Sequence, residues 1–387
     1  MLKDTIRELC LLDGVSSFEE DVRAYIKAEA APYADEMRVD PLGNLIVFKK
    51  GKKSTGSKLL LAAHMDEVGL IIRSITDEGY LKFSCVGGID RRVLIGKIVR
   101  VGKNRLPGVI GLKAYHLVSE EEEKKVPKVE DLYLDIGARS KEEAEKLVEI
   151  GDFAAFDSDW TEFGSGYVKA KALDDRVGCA VMLELLKEDL PMDCTFAFTV
   201  QEEVGCRGAF GAAFSVDPKV ALVLETTTAV DLAGTPAHKQ VCTLGKGPVI
   251  PFMDGGSVAD RGLFELMWDL AEENQIPWQT KHYIAVHKGD HRTLAQGTDL
   301  FVAGGGGQIG GGGGLQHQGD LRVDGEGRAE GAAAAHLLLH RKGKGTVHGQ
   351  VLLQQLQHDG TACTVIQSLG LHKTVAKLGP EIGRAHV

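Results

Sequence analysis

Aromatic residues are scarce in this chain of 387 residues, and they almost vanish from its last part. They make up 6% of the sequence, and beyond Tyr283 only Phe301 remains. The same stretch contains two glycine runs, Gly304–Gly307 and Gly310–Gly314. A packed core needs large apolar side chains, which this stretch hardly has. We therefore predict that residues 285–387 form a non-native, disordered tail.

The chain also lacks long apolar runs, paired cysteine spacings and an excess of basic residues. No run approaches the ~20 apolar residues of a membrane span, and charges interrupt the N-terminal apolar stretch, so we expect neither a signal peptide nor a membrane partner. The formal net charge of −10 argues against nucleic acid as a partner. Seven dispersed cysteines are typical of reduced thiols in a cytoplasmic protein.

Carboxylates and one imidazole follow or interrupt apolar runs that are typical of buried strands. The motifs are AHMDE at 63–67, LDDR at 173–176, QEEV at 201–204 and LE at 224–225. Because the carboxyl ends of parallel strands meet at one edge of an α/β sheet, we expect these side chains to form one metal site. Carboxylate oxygens with an imidazole suit zinc, cobalt or manganese. A second carboxylate beside a ligand can act as a general base in hydrolysis.

The spacing of apolar residues changes after the first motif. Between Leu70 and Phe156, short alternating runs are broken by Gly, Asp and Asn, which predicts a small β-barrel or sandwich. The flanking sequence follows the α/β pattern of longer apolar runs and helices. We predict a catalytic domain in two parts, 1–69 and 158–284, with the β-barrel of 70–157 inserted between them.

Local signals give further expectations for the flanking elements. The predicted helices cover the ranges 1–12, 17–31, 141–150, 177–187 and 261–274. The second of them is expected to begin with a capping box of Ser17 and Glu20. The charge run 119–125 is interpreted as a solvated loop, and 241–243 as an edge strand.

The tail has a pattern that the genetic code explains. When residues whose numbers add to 540 are paired, nearly every pair from Ala285 to Pro380 allows codons that are reverse complements. Met192 (ATG) thus faces His348 (CAT), and Trp160 (TGG) faces Pro380 (CCA). We hypothesise that the tail is the antisense strand of a close relative's copy of the same gene, joined by inversion or misassembly. Genomic DNA read across codon 285 without an inverted repeat would contradict this.

Histidine pairs in the tail imitate metal ligands. His287 and His291 are four residues apart, as are His336 and His340, which is the spacing of zinc ligands on a helix. On the antisense hypothesis, the codons of these histidines are reverse complements of codons for unrelated residues. We therefore predict that the tail supplies no metal ligand.

The order of AHMDEVG, KALDDRVG, TVQEEVGCRGA and VLETTTAVD, with a β insert between the first two, resembles that of the dinuclear-metal aminopeptidases. This family includes glutamyl aminopeptidases and tetrahedral (TET) aminopeptidases, and the resemblance extends over residues 1–284. It implies an α/β fold: a mixed-sheet, zinc-peptidase-like catalytic domain with an inserted small β-barrel. The barrel is expected to mediate homo-oligomerisation, often to a dodecamer. The implied activity is release of N-terminal amino acids from peptide substrates with two divalent metal ions, zinc or cobalt.

The resemblance also implies which residues bind the metals. His64 and Glu225 fall on ligands of one metal. Asp174 falls on the ligand that both metals share, and Glu203 falls on a ligand of the second. The family normally has Asp where this chain has Glu225, and either carboxylate can ligate a metal.

Two further residues receive catalytic roles from the same resemblance. Glu202 falls on the general base. Asp66 is expected to hold the second ring nitrogen of His64 and so to orient it. A cis peptide bond is expected between Asp174 and Asp175.

One family segment is missing from this chain. The family continues past the strand at 283–285 with a Gly/Asn-Asp-Ala-Gly segment and a last ligand histidine, whereas this chain enters the tail. We therefore expect the second metal to lack its imidazole and the activity to be impaired. Two alternatives stay open: a metal-dependent amidase or deacetylase, and an inactive fragment or assembly module.

Overall fold

The computed structural model describes residues 2–53, 59–164, 166–253 and 258–281, and the backbone of three short strands in the tail. Its helices are α1 (Leu2–Leu11), α2 (Glu20–Ala30), α3 (Glu120–Glu123), α4 (Lys141–Ala144), α5 (Leu173–Leu186), α6 (Arg207–Val216) and α7 (Arg261–Glu273). None of the helices in these ranges is long and apolar enough to cross a membrane.

The strands of the described residues belong to four sheets. Those before the barrel are β1 (Glu36–Val39), β2 (Leu45–Lys49) and β3 (Leu59–His64). Those of the barrel are β4 (Gly69–Ile75), β5 (Leu81–Val86), β6 (Ile98–Val101), β7 (Leu106–Gly111), β8 (Tyr133–Asp135) and β9 (Phe153–Phe156). Those after it are β10 (Thr161–Phe163), β11 (Tyr167–Ala170), β12 (Cys194–Thr199), β13 (Val220–Val223), β14 (Thr226–Thr228), β15 (Phe301–Gly304), β16 (Ala333–Ala335) and β17 (Ala362–Thr364).

The main sheet is mixed and has the order β1-β2-β12-β3-β13-β15. Its central strands β12, β3 and β13 are parallel, and β1, β2 and β15 pair antiparallel at the two sides. The register sets Thr199, the last residue of β12, beside His64, the last residue of β3. The carboxyl ends of the parallel strands therefore meet at one edge of the sheet, where ligand sites of open α/β folds lie.

The sheet buries both faces because its central strands are mostly apolar. On one face Leu59, Leu61 and Phe198 pack in the large core that includes α1, α2, α5 and α7. On the other face Leu60 packs with Ala212 of α6. A strand that is buried on both faces has a nearly continuous apolar sequence, which is why these strands could be predicted.

The insert between β3 and β10 forms a closed barrel of order β4-β5-β8-β7-β6-β9. Its strands pair antiparallel, and alternate residues such as Leu70, Ile72 and Phe83 fill a separate core. The predicted fold class, an α/β domain with a mixed sheet and a β-barrel, is confirmed. The domain boundaries stay predictions.

Several local predictions are wrong. The helix that begins at Glu20 has Glu19 at its N-cap position and receives no side-chain cap, so Ser17 does not form a capping box. The helix predicted over 141–150 ends at Ala144, and the predicted edge strand 241–243 is not a strand. The charge run contains a single helical turn, α3, which Ser119 caps.

The tail lies almost entirely outside the described residues. Its described backbone comprises β15, which pairs with β13, together with β16 and β17, which pair with β14 and β11. The predicted disorder of 285–387 and the predicted absence of a tail metal ligand concern residues that are not described. Both stay predictions.

A half-exposed arginine of the barrel forms an ion pair with a buried charge cluster of the catalytic domain. Nζ of Lys171, just after β11, lies 2.5 Å from Glu67 Oε1 and 3.0 Å from Asp13 Oδ1. Arg105, in the turn between β6 and β7 of the barrel, forms an ion pair with the same Asp13. Lys171, Glu67 and Asp13 are all buried. Removing one partner from such a buried cluster leaves an uncompensated charge, which is strongly destabilising.

Candidate metal centre

His64 ends β3, and its Nε2 atom faces two carboxylates. Nε2 lies 3.2 Å from Asp174 Oδ1 and 3.5 Å from Glu225 Oε1. Asp174 stands in the first turn of α5, and Glu225 follows β13 after one residue. Potential ligand atoms of the three residues all lie within 4.8 Å of one another. One metal ion can therefore contact all three side chains.

A second group of potential ligands shares the same imidazole. Glu202 and Glu203 follow β12, and Glu202 Oε2 lies 3.9 Å from His64 Nε2. Ligand atoms of His64, Glu202 and Glu203 also lie within 4.8 Å of one another. The structure thus brings together the residues that the sequence predicts for metal binding and for the general base. Their individual roles stay predictions.

Asp66 is fully buried and connects the two groups. Its backbone oxygen lies 3.1 Å from His64 Nδ1, and its carboxylate Oδ1 lies 3.3 Å from the same atom. The carboxylate also accepts hydrogen bonds from the amides of Glu202 and Glu203, at 2.9 and 3.1 Å. An imidazole whose Nδ1 is held in this way presents Nε2 to a metal.

The electrostatics of the cluster reflect an excess of negative charge. Burial, with the charges of Asp174 and Glu202, raises the pKa of Glu203 well above its usual value. Burial and the charge of Asp174 do the same to the pKa of Glu225. Burial by itself would lower the pKa of His64, but the charge of Glu225 and the hydrogen-bonded carboxylates raise it well above its usual value.

This donor set fits divalent metal ions. Hard carboxylate oxygens together with one imidazole are ligands that zinc and cobalt accept. A bound cation is also the largest local charge in such a site and compensates the excess of carboxylates. The peptide bond between Asp174 and Asp175 is cis, as expected.

Sequence reasoning missed two residues that hold Asp66 and Glu202 in place. Ser16, which lies between α1 and α2, donates its hydroxyl to Asp66 Oδ2 at 2.6 Å. Cys206 donates its thiol to Glu202 Oε1 at 3.1 Å. Neither residue ends an apolar run, and Ser16 lies 50 residues from its partner. A search for polar residues at strand ends has no signal for them.

The combination of this sheet, the inserted barrel and the carboxylate cluster is that of a metal-dependent hydrolase. Comparison with known proteins narrows the class. A provisionally named aminopeptidase of Acetivibrio thermocellus is 42% identical over 279 residues, covering 71% of this chain and 81% of the relative. The lysyl aminopeptidase of Pyrococcus furiosus is 33% identical over 276 residues, with coverage of 69% and 77%.

Solved structures agree with these relatives. The TET1 peptidase of Pyrococcus horikoshii, described as assembling into a tetrahedron or a large octahedral shell, has a TM-score of 0.64 and 38% identity, covering 73% of this chain and 84% of that one. The family profile of the M42 glutamyl aminopeptidases matches residues 43–299, and the chain belongs to this family. The predicted metal-dependent aminopeptidase class is therefore confirmed, and the family implies divalent metal ions at the site.

Proposed function

We propose that the chain is built to remove N-terminal amino acids from peptides with two divalent metal ions, zinc or cobalt, at this site. The observation that supports it best is the pair of three-residue groups that share His64, each with ligand atoms within 4.8 Å. Since the ring nitrogen of His64 can bind only one ion, the carboxylates of the second group are left for an adjacent ion, which favours two ions over one. A cytoplasmic location belongs to the same proposal, because the seven cysteines are dispersed without paired spacing.

Each side chain has a place in this proposal. His64 and Glu225 would hold one ion, Glu203 would hold the other, and Asp174 would lie between them. When bound, the ions supply Lewis acidity, which lowers the pKa of water and polarises the scissile carbonyl. Asp66 fixes His64, so that the imidazole keeps the same nitrogen directed at the cluster.

Glu202 is the proposed general base. Its carboxylate is mostly buried beside His64, where Oε1 accepts the Cys206 thiol and Oε2 lies 3.9 Å from Nε2. Burial raises the pKa of Glu202, which brings a carboxylate closer to the proton affinity that proton transfer near neutral pH requires. Glu202 would take a proton from the attacking water and pass it to the leaving amine.

The substrate class can be tested with peptides that differ only at the N-terminus. We expect the purified full chain, supplied with Zn²⁺ or Co²⁺, to cleave a peptide with a free α-amine and to leave its N-acetylated counterpart intact. Release of the first amino acid is followed by mass spectrometry, and bound metal is measured on the same samples. Cleavage of the blocked peptide would instead support an amidase or deacetylase. Metal binding without cleavage of either would support an inactive fragment.

We further propose that the tail limits this activity. The sequence lacks the last ligand histidine that the resemblance implies, so the second ion would have carboxylate ligands without an imidazole. We therefore expect a second equivalent of metal to bind weakly in a calorimetric titration. Two equivalents of equal, tight affinity would contradict it.

The barrel is the proposed contact of a homo-oligomer. Ile98 of β6 and Val109 of β7 pair in register on its outer face, and they are 49% and 47% exposed. Tyr115 and Leu117, in the segment after β7, are 77% and 60% exposed. Clusters of exposed apolar side chains mark interaction surfaces, and assembly of the Pyrococcus horikoshii relative supports this interpretation.

The assembly proposal predicts the outcome of a charge substitution. The double variant I98E/V109E should give smaller particles than the parent by light scattering, because carboxylates buried in a contact lose their hydration. Lys103→Glu, in the exposed turn between the same strands, is the matched control and should leave particle size unchanged. Equal particle size for parent and double variant would contradict the proposal.

A further inference from the structure

The loop after β12 is held by side chains from distant parts of the chain. The amide of Val200 donates to Asn44 Oδ1 at 3.0 Å. The next amide, that of Gln201, donates to Glu19 Oε1 at 3.1 Å. Asn44 precedes β2, and Glu19 lies at the N-cap of α2, so they are 156 and 182 residues away from the amides that they hold.

The two following amides complete the series. Glu202 and Glu203 donate to the two oxygens of Asp66, as described above. Four consecutive amides, 200–203, therefore each donate to a buried side-chain oxygen. This series, with its three acceptors, is called the amide clamp below. β12 ends at Thr199, so the sheet ladder does not fix these four amides.

Asn44 and Glu19, the first two acceptors of the clamp, are themselves held by further hydrogen bonds. Asn44 is fully buried, and its Nδ2 donates to Asp40 Oδ2 at 2.6 Å and to the backbone oxygen of Gly208 at 2.8 Å. Glu19 is 3% exposed, and its Oε1 also accepts the amide of Ser17 at 2.9 Å. A buried side chain with several hydrogen-bond partners is held in one position. Its acceptor oxygen therefore fixes the position of the amide that donates to it.

The backbone of this loop needs such support. Gln201 has φ = 55°, the left-handed region that a residue with a side chain adopts only when its surroundings fix it. Its conformation sets the direction in which Glu202 and Glu203 leave the backbone. Metal ligands and catalytic groups must be held to within ~0.5 Å to be effective.

We propose that Glu19 and Asn44 are positioning residues of the metal centre, which act by fixing the backbone from which Glu202 and Glu203 project. This inference rests on the proposed function for its effect on metal binding. Its effect on the loop itself does not depend on that function.

The clamp requires an acceptor oxygen at Glu19 and not a charge. The amides of Ser17 and Gln201 both donate to the same oxygen of the carboxylate. Gln at this position would keep an oxygen there and remove the charge. Burial, with the nearby charge of Asp66, also raises the pKa of Glu19 to about 7, so a neutral side chain is already accessible to the folded protein near neutral pH.

The test compares Glu19→Ala with Glu19→Gln in the full chain. Hydrogen exchange, followed by mass spectrometry in peptides that cover 200–206, reports on the loop. Titration with Co²⁺ alone, followed by its visible absorption, reports on the site. We expect Glu19→Ala to exchange these amides about tenfold faster than the parent and to bind Co²⁺ about tenfold more weakly, the usual loss when a residue that supports a metal ligand is removed.

Three further variants complete the design. Glu19→Gln should stay within about twofold of the parent in both measurements. Glu20→Ala, at the exposed neighbouring position of the same helix start, should also match the parent. Asn44→Ala should have the same effect on the loop as Glu19→Ala, because it removes the acceptor of the adjacent amide.

Three results would overturn the positioning role. One is exchange of the 200–206 amides at the parental rate in Glu19→Ala. Another is equal impairment of Glu19→Gln and Glu19→Ala, which would indicate that the charge matters. The third is unchanged Co²⁺ affinity despite faster exchange. If the parent binds no Co²⁺, the proposed function is wrong. The hydrogen-exchange comparison then tests by itself whether Glu19 fixes the loop.

Discussion

Glu202→Gln should lower the turnover of peptide hydrolysis about a hundredfold or more and leave bound metal unchanged. General bases contribute about 10²–10⁴-fold to rate, and an amide cannot take the proton that the carboxylate takes. The substitution keeps the size of the side chain and an oxygen that can accept the Cys206 thiol. Turnover of a free-amine peptide and metal content are measured on the same preparation.

The adjacent carboxylate provides the control for this prediction. Glu203→Gln is the same chemical change one residue further along, at a predicted ligand. It should lose metal as well as activity, because a neutral amide oxygen replaces an anionic ligand. Metal content distinguishes the general base, Glu202, from the predicted ligand, Glu203, even if the parent turns over slowly. A Glu202→Gln protein that loses its metal, or that turns over like the parent, would refute the assignment.

Asp66→Ala should lower the free energy of unfolding by about 3–5 kcal/mol, the usual cost of removing one partner from a buried charged network. The carboxylate is fully buried and accepts from Ser16, Glu202 and Glu203, besides facing His64. All of these donors would lose their acceptor at once. Urea unfolding with a chelator present measures the effect without the contribution of bound metal.

Asp66→Asn tests whether both oxygens of the carboxylate are needed. Oδ1 accepts the amide of Glu202, and Oδ2 accepts that of Glu203, so the amino group of Asn would face an N–H donor in either orientation. We expect a smaller loss, about 1–3 kcal/mol, which is the cost of one unsatisfied buried group. Unfolding of Asp66→Asn at the parental urea concentration would show that one oxygen suffices.

The residues that meet in the cluster could be predicted from sequence because each one ends or follows an apolar run. Such runs are visible locally, and parallel pairing makes their ends converge without any knowledge of the loops between them. His64, Glu203 and Glu225 illustrate this, since they end or follow three neighbouring strands. The barrel was equally visible, because its alternating runs contrast with the continuous runs on either side.

The residues that hold the loop could not be predicted in the same way. The pattern from Ser17 to Glu20 fits a capping box, but Ser17 has φ = 78°, and the carboxylate of Glu19 accepts the amide of Gln201 far along the chain. A local motif cannot show that a side chain is already engaged by a distant amide. Helix α6 was missed for a different reason: its sequence, RGAFGAAFSV, contains two glycines and gives a weak helix signal.

The ion pairs that link Asp13 with Lys171 and Arg105 bear on how this protein can be engineered. A barrel from a relative would have to present a guanidinium where Arg105 stands, or Asp13 would lose one of its two cationic partners. Lys171, in turn, lies three residues before Asp174, so a disturbance of the junction begins one short segment away from the metal centre. Exchange of barrels between relatives should therefore lower stability unless the partners of Asp13 are transferred together. The insert has a core of its own, but its junction with the rest of the chain includes an ion pair that a replacement barrel would have to supply.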